Sequence, residues 1–293
     1  MSISHFHLGG TLFVPASHKY LDAIVNKKKY FTLKSLVIDF EDGLEEEDFL
    51  EAMQNIEAIL KNISSSSPLI FLRARDTDHL KALLKLKDIS NLTGFVLAKF
   101  SLLNADEYFS FLKDKDFLIM PSIEGEELFN SQELNKLKEK IVTNKHTILL
   151  VRFGLEDMLR QLSMRRSCDE SIFDFSATSS VIGNFIATFK SVGFGVSGGV
   201  YPCFKNEEGF IRDAKRDLKE GLFSKTIIHP SQIEIINELY KVTQLAFEEA
   251  KEIEESSLKV FNQNEKMAET LTMSAYSKEI LLRAKIYGVL PSN

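Results

Sequence analysis

Short apolar runs alternate regularly with longer stretches in which apolar residues recur at helical spacing. Each run is rich in β-branched or aromatic residues and has polar or turn residues near its ends, which is typical of buried parallel strands. The pattern predicts eight strands: Thr11–Pro15, Ser35–Glu41, Leu69–Ala74, Gly94–Phe100, Phe117–Glu124, Thr147–Phe153, Gly193–Val200 and Ser224–Pro230. The amphipathic stretches between them predict helices: Glu45–Lys61, Asp78–Lys87, Glu126–Lys140 and Asn206–Glu220.

Eight βα units in 293 residues predict an α/β protein with a (β/α)8 TIM barrel. An open doubly wound sheet is the alternative, but it normally carries a Gly-rich phosphate loop after its first strand. Here Ala-Ser-His-Lys follows Thr11–Pro15, so the barrel is favoured. Beyond the eighth strand the pattern predicts extra C-terminal helices at Gln232–Glu255 and near Met267–Gly288, separated by a polar stretch. We therefore expect a catalytic barrel over residues 1–255 and a helical extension over 256–293, acting as a lid or an oligomer contact.

Composition excludes several classes of protein. With 36 Lys+Arg against 42 Asp+Glu the net charge is −6, so the chain lacks the basic footprint of a general nucleic-acid binder. No apolar run approaches the roughly 18 residues of a membrane span, and the N-terminus shows no secretory signal pattern. Cys168 and Cys203 are too few for a disulfide framework or a four-ligand zinc site. We expect a cytoplasmic protein with neither nucleic acid nor membrane as its partner.

Barrel active sites form at the carboxyl ends of the strands, where this chain places charged side chains. A single one of them reads equally well as a solvated or salt-bridged strand end. Together, several carboxylates and two or three cations favour a hard metal ion and an anionic substrate. The residues at these ends are Asp39, Glu41, Asp42, Arg73, Arg75, Lys99, Glu124, Asp157 and His229.

Three of these residues suit specific roles. Mg2+ prefers one or two protein carboxylates with positions left open for water and substrate, and Glu124 and Asp157 on adjacent strands would supply such a pair. Arg73 would then bind a substrate carboxylate bidentately. The alternative for Arg73 is an ion pair with Glu41 or Asp42.

Eight motifs in collinear order resemble the citrate lyase beta-chain group of the HpcH/HpaI aldolase superfamily. The resemblance runs from about residue 11 to the C-terminal helix. The motifs are TLFVPASHKYL (11–21), LVIDFEDGL (36–44), IFLRARD (70–76), GFVLAK (94–99), IMPSIEG (119–125), FGLEDMLRQLSMRRS (153–167), GGVYPCFKNEEGF (198–210) and SKTIIHPSQI (224–233).

The resemblance implies a role for each matching position. Glu124 and Asp157 fall on the Mg2+ ligands, Arg73 on the residue that holds the substrate carboxylate, and Glu41 near the metal. Lys225, His229 and Pro230 fall where family members meet the thioester carrier, which is coenzyme A or an acyl-carrier protein. The implied chemistry is Mg2+-dependent cleavage or formation of a carbon–carbon bond in a short β-hydroxyacyl thioester of the citryl, malyl or citramalyl type. Its products would be a 2-oxo acid and an acetyl-type thioester.

The chain departs from the family pattern at points that concern the thioester. The C-terminal Asp that handles the enolate proton, reaching in from a neighbouring subunit, is replaced by Glu269, and the strand-7 Asp falls near Gly198. Family members assemble, commonly as trimers or multiples, so a homo-oligomer is expected. Two further functions stay open at this stage: an aldolase acting on a free 2-oxo-acid adduct, and a non-catalytic barrel subunit.

Overall fold

The computed structural model describes residues 3–145 and 147–291, which contacts divide into two compact units, Met1–Ile233 and Glu234–Asn293. The predicted division at residue 255, between a catalytic barrel and an extension, stays a prediction. Among the described residues, none of the helices is both long and apolar enough to cross a membrane.

The first unit is built on a parallel sheet in the order β6-β5-β4-β3-β2-β1-β7. Its strands are β1 (Thr11–Pro15), β2 (Ser35–Asp39), β3 (Leu69–Ala74), β4 (Gly94–Leu97), β5 (Leu118–Ile123), β6 (Arg152–Phe153) and β7 (Thr226–Ile227). The helices between them are α1 (Leu21–Val25), α2 (Phe49–Leu60), α3 (Thr77–Leu83), α4 (Ala105–Leu112), α5 (Ser131–Thr143), α6 (Leu155–Gln161), α7 (Ser176–Lys190) and α8 (Glu207–Lys219).

Single bridges close the sheet into a ring between β6 and β7. Val151 pairs with Val196, and Ser197 pairs with Phe223. Backbone hydrogen bonds continue around the ring, and Thr11 N donates to Lys225 O at 2.9 Å. The predicted barrel is confirmed, although its seventh strand, expected at Gly193–Val200, is reduced to these bridges.

Glycine is the physical reason for the irregular seventh segment. An added Cβ at Gly195 would lie 2.7 Å from the His5 ring, and one at Gly198 would collide with the Asp217 carboxylate. These glycines therefore allow neighbouring side chains to lie close to the backbone. A segment with few side chains of its own packs poorly and forms a weak strand. The eighth predicted strand, Ser224–Pro230, is likewise shortened to β7.

The barrel interior is apolar below its mouth. One buried cluster fills it with side chains from successive strands and from the N-terminal 3-10 turn His5–Leu8. Its members are Leu8, Val37, Phe71, Val96, Met120, Leu149 and Leu150, with Phe13, Leu69 and Leu118 packed against them. This packed floor fills the barrel interior below the carboxyl ends of its strands, where barrel active sites form.

The second unit corrects the prediction of two plain helices. The expected helix Gln232–Glu255 is split into α9 (Gln232–Leu239) and α10 (Gln244–Glu255) by β8 (Val242–Thr243). The expected polar stretch and the start of the last helix form an antiparallel hairpin, β9 (Val260–Gln263) and β10 (Lys266–Glu269). The helix α11 (Thr270–Tyr287) follows, and β11 (Val289–Leu290) pairs in parallel with β8.

Candidate active site at the barrel mouth

A cavity of about 420 Å³ opens at the carboxyl ends of the strands. Its volume lies in the range of small-molecule sites. Seven of its lining residues carry charge: Asp39, Asp42, Arg73, Glu124, Arg152, Glu156 and Asp157.

Arg73 lies at the centre of an acidic cluster. Strand register places Asp39 on β2 directly beside Arg73 on β3. Asp39 accepts two hydrogen bonds from the guanidinium, each 2.6 Å long, and Glu41 and Asp42 contact it at 2.8 and 3.1 Å. Burial alone would lower the pKa of Arg73, but the hydrogen bond and charge of Asp39, with Glu41 and Asp42, raise it. The structure therefore brings Arg73 together with Glu41 and Asp42, its predicted ion-pair partners, and adds Asp39 as the strongest partner.

Glu41 links Arg73 to Lys99. The Glu41 carboxylate is only 4% exposed and lies 2.9 Å from the Lys99 ammonium. Burial raises the pKa of Glu41, and the attraction of Arg73 and Lys99 offsets only part of that effect. Lys99 itself has a left-handed backbone, with φ 47°, and Asn104 donates a hydrogen bond to its carbonyl at 2.9 Å. A non-glycine residue held in this region is unfavourable on its own, and such residues concentrate at functional sites.

Glu124 lies beyond the end of β5 and is 6% exposed. Burial raises the pKa of Glu124 to about 7, and the nearby charges of Glu41 and Asp157 add to the effect. The Ser122 hydroxyl and Arg73 act in the opposite direction. A buried carboxylate among other carboxylates is the electrostatic setting that a bound cation would relieve.

The ends of β5 and β6 are packed so that Glu124 and Asp157 lie on neighbouring walls. An added Cβ at Gly154 would lie 2.8 Å from the Cβ of Glu124 and 3.1 Å from its Cα, so only glycine fits there. The Gln161 amide donates to the Glu124 carbonyl at 2.6 Å and to the Asp157 carbonyl at 3.1 Å. Gln161 thus fixes the backbone of both predicted metal ligands, while Arg160 pairs with the Asp157 carboxylate at 2.8 Å.

Lys225 lies in the interior and is 1% exposed. Its ammonium donates to Gly199 O at 2.8 Å and to Asp213 and Asp217 at 2.6 Å each. Burial alone would lower the pKa of Lys225, but the two carboxylates raise it. The structure therefore places Lys225 inside a charge network, and its predicted contact with a cofactor stays a prediction.

His229 and Pro230 lie at the rim, each partly exposed. The His229 ring stacks on Phe204 with centroids 4.6 Å apart, and its Nδ1 is 2.8 Å from the Ser231 hydroxyl. The Gln232 side chain accepts hydrogen bonds from the backbone of Ile228 and His229.

Glu269 ends β10 in the second unit, where its carboxylate accepts a hydrogen bond from Thr272 at 3.2 Å. Its predicted catalytic role stays a prediction.

Several residues of the mouth escaped the sequence analysis. Arg152 is the next-to-last residue of the predicted strand Thr147–Phe153, as Arg73 is in Leu69–Ala74, yet it was not selected. Gln161 lies inside a helix, and the strand-end rule does not search helices. A lone arginine within the apolar run Thr147–Phe153 was the available signal for Arg152, because buried arginines require a specific reason. The pairing of Cys168 with Cys203, whose Cα atoms are 5.9 Å apart, also went unpredicted.

Comparison with known proteins identifies relatives of the whole chain and of parts of it. Citrate lyase subunit beta of Haemophilus influenzae is 32% identical over 113 residues, which cover 39% of this chain and 37% of that protein. A (3S)-malyl-CoA thioesterase of Cereibacter sphaeroides is 29% identical over 95 residues, 32% of each chain. The aligned part thus spans about a third of the length of these relatives.

A solved structure and a family model extend the comparison to nearly the full length. The Mycobacterium tuberculosis protein CitE in complex with magnesium, acetoacetate and coenzyme A aligns with a TM-score of 0.67 at 17% identity, covering 96% of this chain and 99% of that one. The model of the C-C_Bond_Lyase family of the TIM-barrel fold matches residues 2–289. The predicted fold, family resemblance and lyase class are confirmed: the chain belongs to the carbon–carbon bond lyase family of the TIM-barrel fold.

Proposed function

We propose that the chain is a Mg2+-dependent carbon–carbon lyase that cleaves or forms a short β-hydroxyacyl thioester. The products of cleavage are a 2-oxo acid and an acetyl-type thioester carried by coenzyme A or an acyl-carrier protein. The observation that carries this proposal is the buried Glu124 carboxylate, which faces the same cavity as Asp157 and Arg73. Membership of the carbon–carbon bond lyase family supports the reaction class.

The donor set fits Mg2+. Glu124 and Asp157 offer two carboxylates at the cavity wall, which matches the preference of Mg2+ for few protein ligands and several exchangeable oxygens. Within residues 3–145 and 147–291, no group of three or more His, Cys, Asp or Glu is arranged to hold a metal ion, so a closed zinc-type site is not favoured there. The related CitE structure contains magnesium. When bound, the metal would act as a Lewis acid on the carbonyl of the 2-oxo acid.

Arg73 would bind the carboxylate of the 2-oxo acid. Asp39 holds the Nε–Nη2 edge of the guanidinium with both oxygens, whereas Asp42 contacts it at 3.1 Å and has a side chain that is 69% exposed. A substrate carboxylate would therefore replace Asp42 with the least loss, because exposed ion pairs contribute little free energy. Glu41, fixed between Arg73 and Lys99, keeps both cations in place.

Cleavage removes one proton from the substrate and adds one proton to the thioester product. The hydroxyl of the substrate loses its proton as the carbon–carbon bond breaks, and the thioester enolate gains a proton at carbon. We assign the second transfer to Glu269 of a neighbouring copy, since a carboxyl group is suited to general acid catalysis. His229 and Pro230 at the rim would contact the thioester carrier, and Lys225 would hold the segment that bears them.

A homo-oligomer, a trimer or a multiple of it, is part of the proposal. The hairpin β9–β10 and the start of α11 expose large apolar side chains: Val260, Met267, Leu271 and Tyr276 are 54%, 69%, 85% and 63% exposed. Clustered exposure of this kind is typical of protein contact sites. A second copy of the chain covering this surface would bring Glu269 to a neighbour's barrel.

One assay separates the candidate reactions. The protein with Mg2+ is given citryl-CoA, malyl-CoA or citramalyl-CoA in turn, and the products are resolved by chromatography. Oxaloacetate, glyoxylate or pyruvate with acetyl-CoA supports the lyase, whereas the free hydroxy acid with free coenzyme A supports the thioesterase reaction suggested by the Cereibacter relative. Cleavage of free citramalate alone would favour the aldolase acting without a thioester.

The variants Glu124→Gln and Asp157→Asn should each abolish turnover and weaken Mg2+ binding, while Glu126→Gln, at an exposed position, should leave both unchanged. Full activity in either ligand variant would exclude the metal assignment. An inert wild-type protein that binds neither Mg2+ nor a 2-oxo acid would favour the non-catalytic barrel subunit.

A further inference from the structure

Arg152 lies within the barrel mouth on the strand next to Glu124. It is 3% exposed, and its strand register places it beside Ser122, two residues before Glu124 along β5. Gly154, which packs against Glu124, lies two residues beyond Arg152 on the same side of β6. Arg152 is therefore adjacent to the metal site that the proposed function assigns.

Several neighbours contact the guanidinium of Arg152, and its Nη1 lies 3.7 Å from the Met120 sulfur. Its Nη2 donates to the Thr226 hydroxyl at 2.7 Å, and its Cζ lies 5.0 Å from the centroid of the Phe13 ring. The Cζ of Arg73 lies 5.4 Å from the same centroid. Because both guanidinium groups pack on one aromatic ring, the two cations occupy the same layer above the apolar floor.

The two arginines are held from different strands. Asp39, at the end of β2, binds Arg73 through both oxygens. Arg152 donates to the Thr226 hydroxyl on β7. Both line the same cavity of about 420 Å³, so a ligand bound there meets one guanidinium from β3 and a second from β6.

We propose that Arg152 is a specificity-determining residue that binds a second anionic group of the substrate, so that the site selects a dicarboxylic 2-oxo acid over a monocarboxylic one. This inference rests on the proposed function. Metal chelation uses the 2-oxo group and one carboxylate oxygen, so a monocarboxylic acid such as pyruvate presents only a methyl group to a buried guanidinium. Sites built to hydrogen-bond a substrate group reject analogues that lack it far more strongly than apolar pockets reject a missing methylene.

The wild-type protein provides the first test without any substitution. Oxaloacetate and 2-oxobutyrate share a four-carbon chain, but 2-oxobutyrate has a methyl group in place of the second carboxylate. Isothermal titration in the presence of Mg2+ should show oxaloacetate binding at least about tenfold more tightly, because a charge-assisted hydrogen-bond pair is formed only by the dicarboxylate.

Arg152→Met then identifies the residue responsible. It should weaken oxaloacetate binding about 10- to 100-fold and change 2-oxobutyrate binding less than about threefold, so that the preference disappears. Arg165→Met, at an exposed position, is the matched control and should retain the wild-type preference. Arg152→Lys keeps the charge and much of the bulk but loses the planar fork, so it should lose part of the preference even where Arg152→Met fails to fold.

The outcomes separate this inference from the proposed function. Similar affinities of the two acids for the wild-type protein, or equal weakening of both in the Arg152 variants, would overturn the role of Arg152 and leave the proposed lyase standing. Absence of Mg2+-dependent binding for both acids would overturn the proposed function itself, and with it the inference.

Discussion

At the residue scale, protonation of Glu124 should control Mg2+ binding. Burial raises the pKa of Glu124 to about 7, and Mg2+ binds the ionised carboxylate, so affinity should fall by up to about tenfold for each pH unit below that pKa. Titration of Mg2+ between about pH 8 and about pH 6 measures this. Glu124→Gln should show weak, pH-independent binding, and a pH-independent wild-type affinity would contradict the assignment.

The same pKa has a consequence for stability without metal. The folded pKa of Glu124 lies above its usual value of 4.5, so the folded state binds more protons than the unfolded state between about pH 4.5 and about pH 7. The contribution of this group is therefore most favourable below about pH 4.5 and is lost as the pH rises through about 7. In the presence of a chelator, the free energy of unfolding measured by denaturation should fall less for Glu124→Gln than for the wild-type protein as the pH rises over that interval.

Arg73 should be needed for the fold as well as for binding. Asp39 and Glu41 are 5% and 4% exposed, so Arg73→Met leaves buried carboxylates without their main cation. Loss of one partner of a buried pair costs about 3–5 kcal/mol. Urea denaturation of Arg73→Met should show a loss in this range, reduced when Asp39→Asn is added.

Arg75→Met provides the control for that experiment. Arg75 pairs with the exposed carboxylate of Glu46, and pairs of this kind contribute about 0–1 kcal/mol. An equally small loss for Arg73→Met would show that water screens the Arg73 cluster despite its burial.

How far the sequence predicts the site is visible at Arg73 and Arg152. Strand ends alone were enough to select Arg73, Glu124 and Asp157, because parallel strands deliver their last residues to one rim. Asp39 is a stronger partner of Arg73 than Glu41 or Asp42 because the β2–β3 register places it directly beside Arg73. That register cannot be read from a single sequence. Arg152 is the lone charged residue of an apolar run, which is a sequence signal, but its contacts with Thr226 and Phe13 are visible only in the three-dimensional structure.

At the element scale, prediction succeeded where strands are apolar and failed where long-range contacts decide. The bounds of β1 and β3 match the prediction because their apolar runs end in polar or turn residues. The helix expected at Gln232–Glu255 keeps its apolar period across the break, yet Val242–Thr243 pairs with a strand more than forty residues later. No local signal marks that pairing.

The Cys168–Cys203 bridge should stabilise the loops that follow α6 and the seventh segment. It closes a separation of 35 residues, and disulfides of this loop size contribute about 2–4 kcal/mol. The free energy of unfolding of the double variant Cys168→Ser with Cys203→Ser should be lower than that of the wild-type protein by this amount. A dithiol reductant should destabilise the wild-type protein by a similar amount and have no effect on the double variant. Absence of any effect on the wild-type protein would show that the thiols are already reduced in solution.

At the scale of the whole molecule, the distribution of polar and apolar surface favours association with a second copy. The chain carries a net charge of only −6. Its second unit exposes the apolar side chains of Met267, Leu271 and Tyr276. A contact between this surface and a different surface of the next copy closes into a ring when the rotation permits, as in a trimer. In the proposed oligomer, such a ring would give every barrel a neighbour's Glu269.

Mixing two inactive variants tests this arrangement directly. Glu124→Gln has an intact Glu269, and Glu269→Gln has an intact barrel mouth, so a hybrid oligomer contains some complete sites only if Glu269 acts on a neighbour. Random equal mixing in a ring should restore about a quarter of wild-type turnover, since each complete site needs one subunit of each kind in the correct order. The measurement is turnover after the two proteins are unfolded and refolded together, with each variant refolded alone as the control. Without recovery, in hybrids shown by mass to contain both chains, Glu269 either acts on its own barrel or has no catalytic role; full activity of Glu269→Gln alone would select the second explanation.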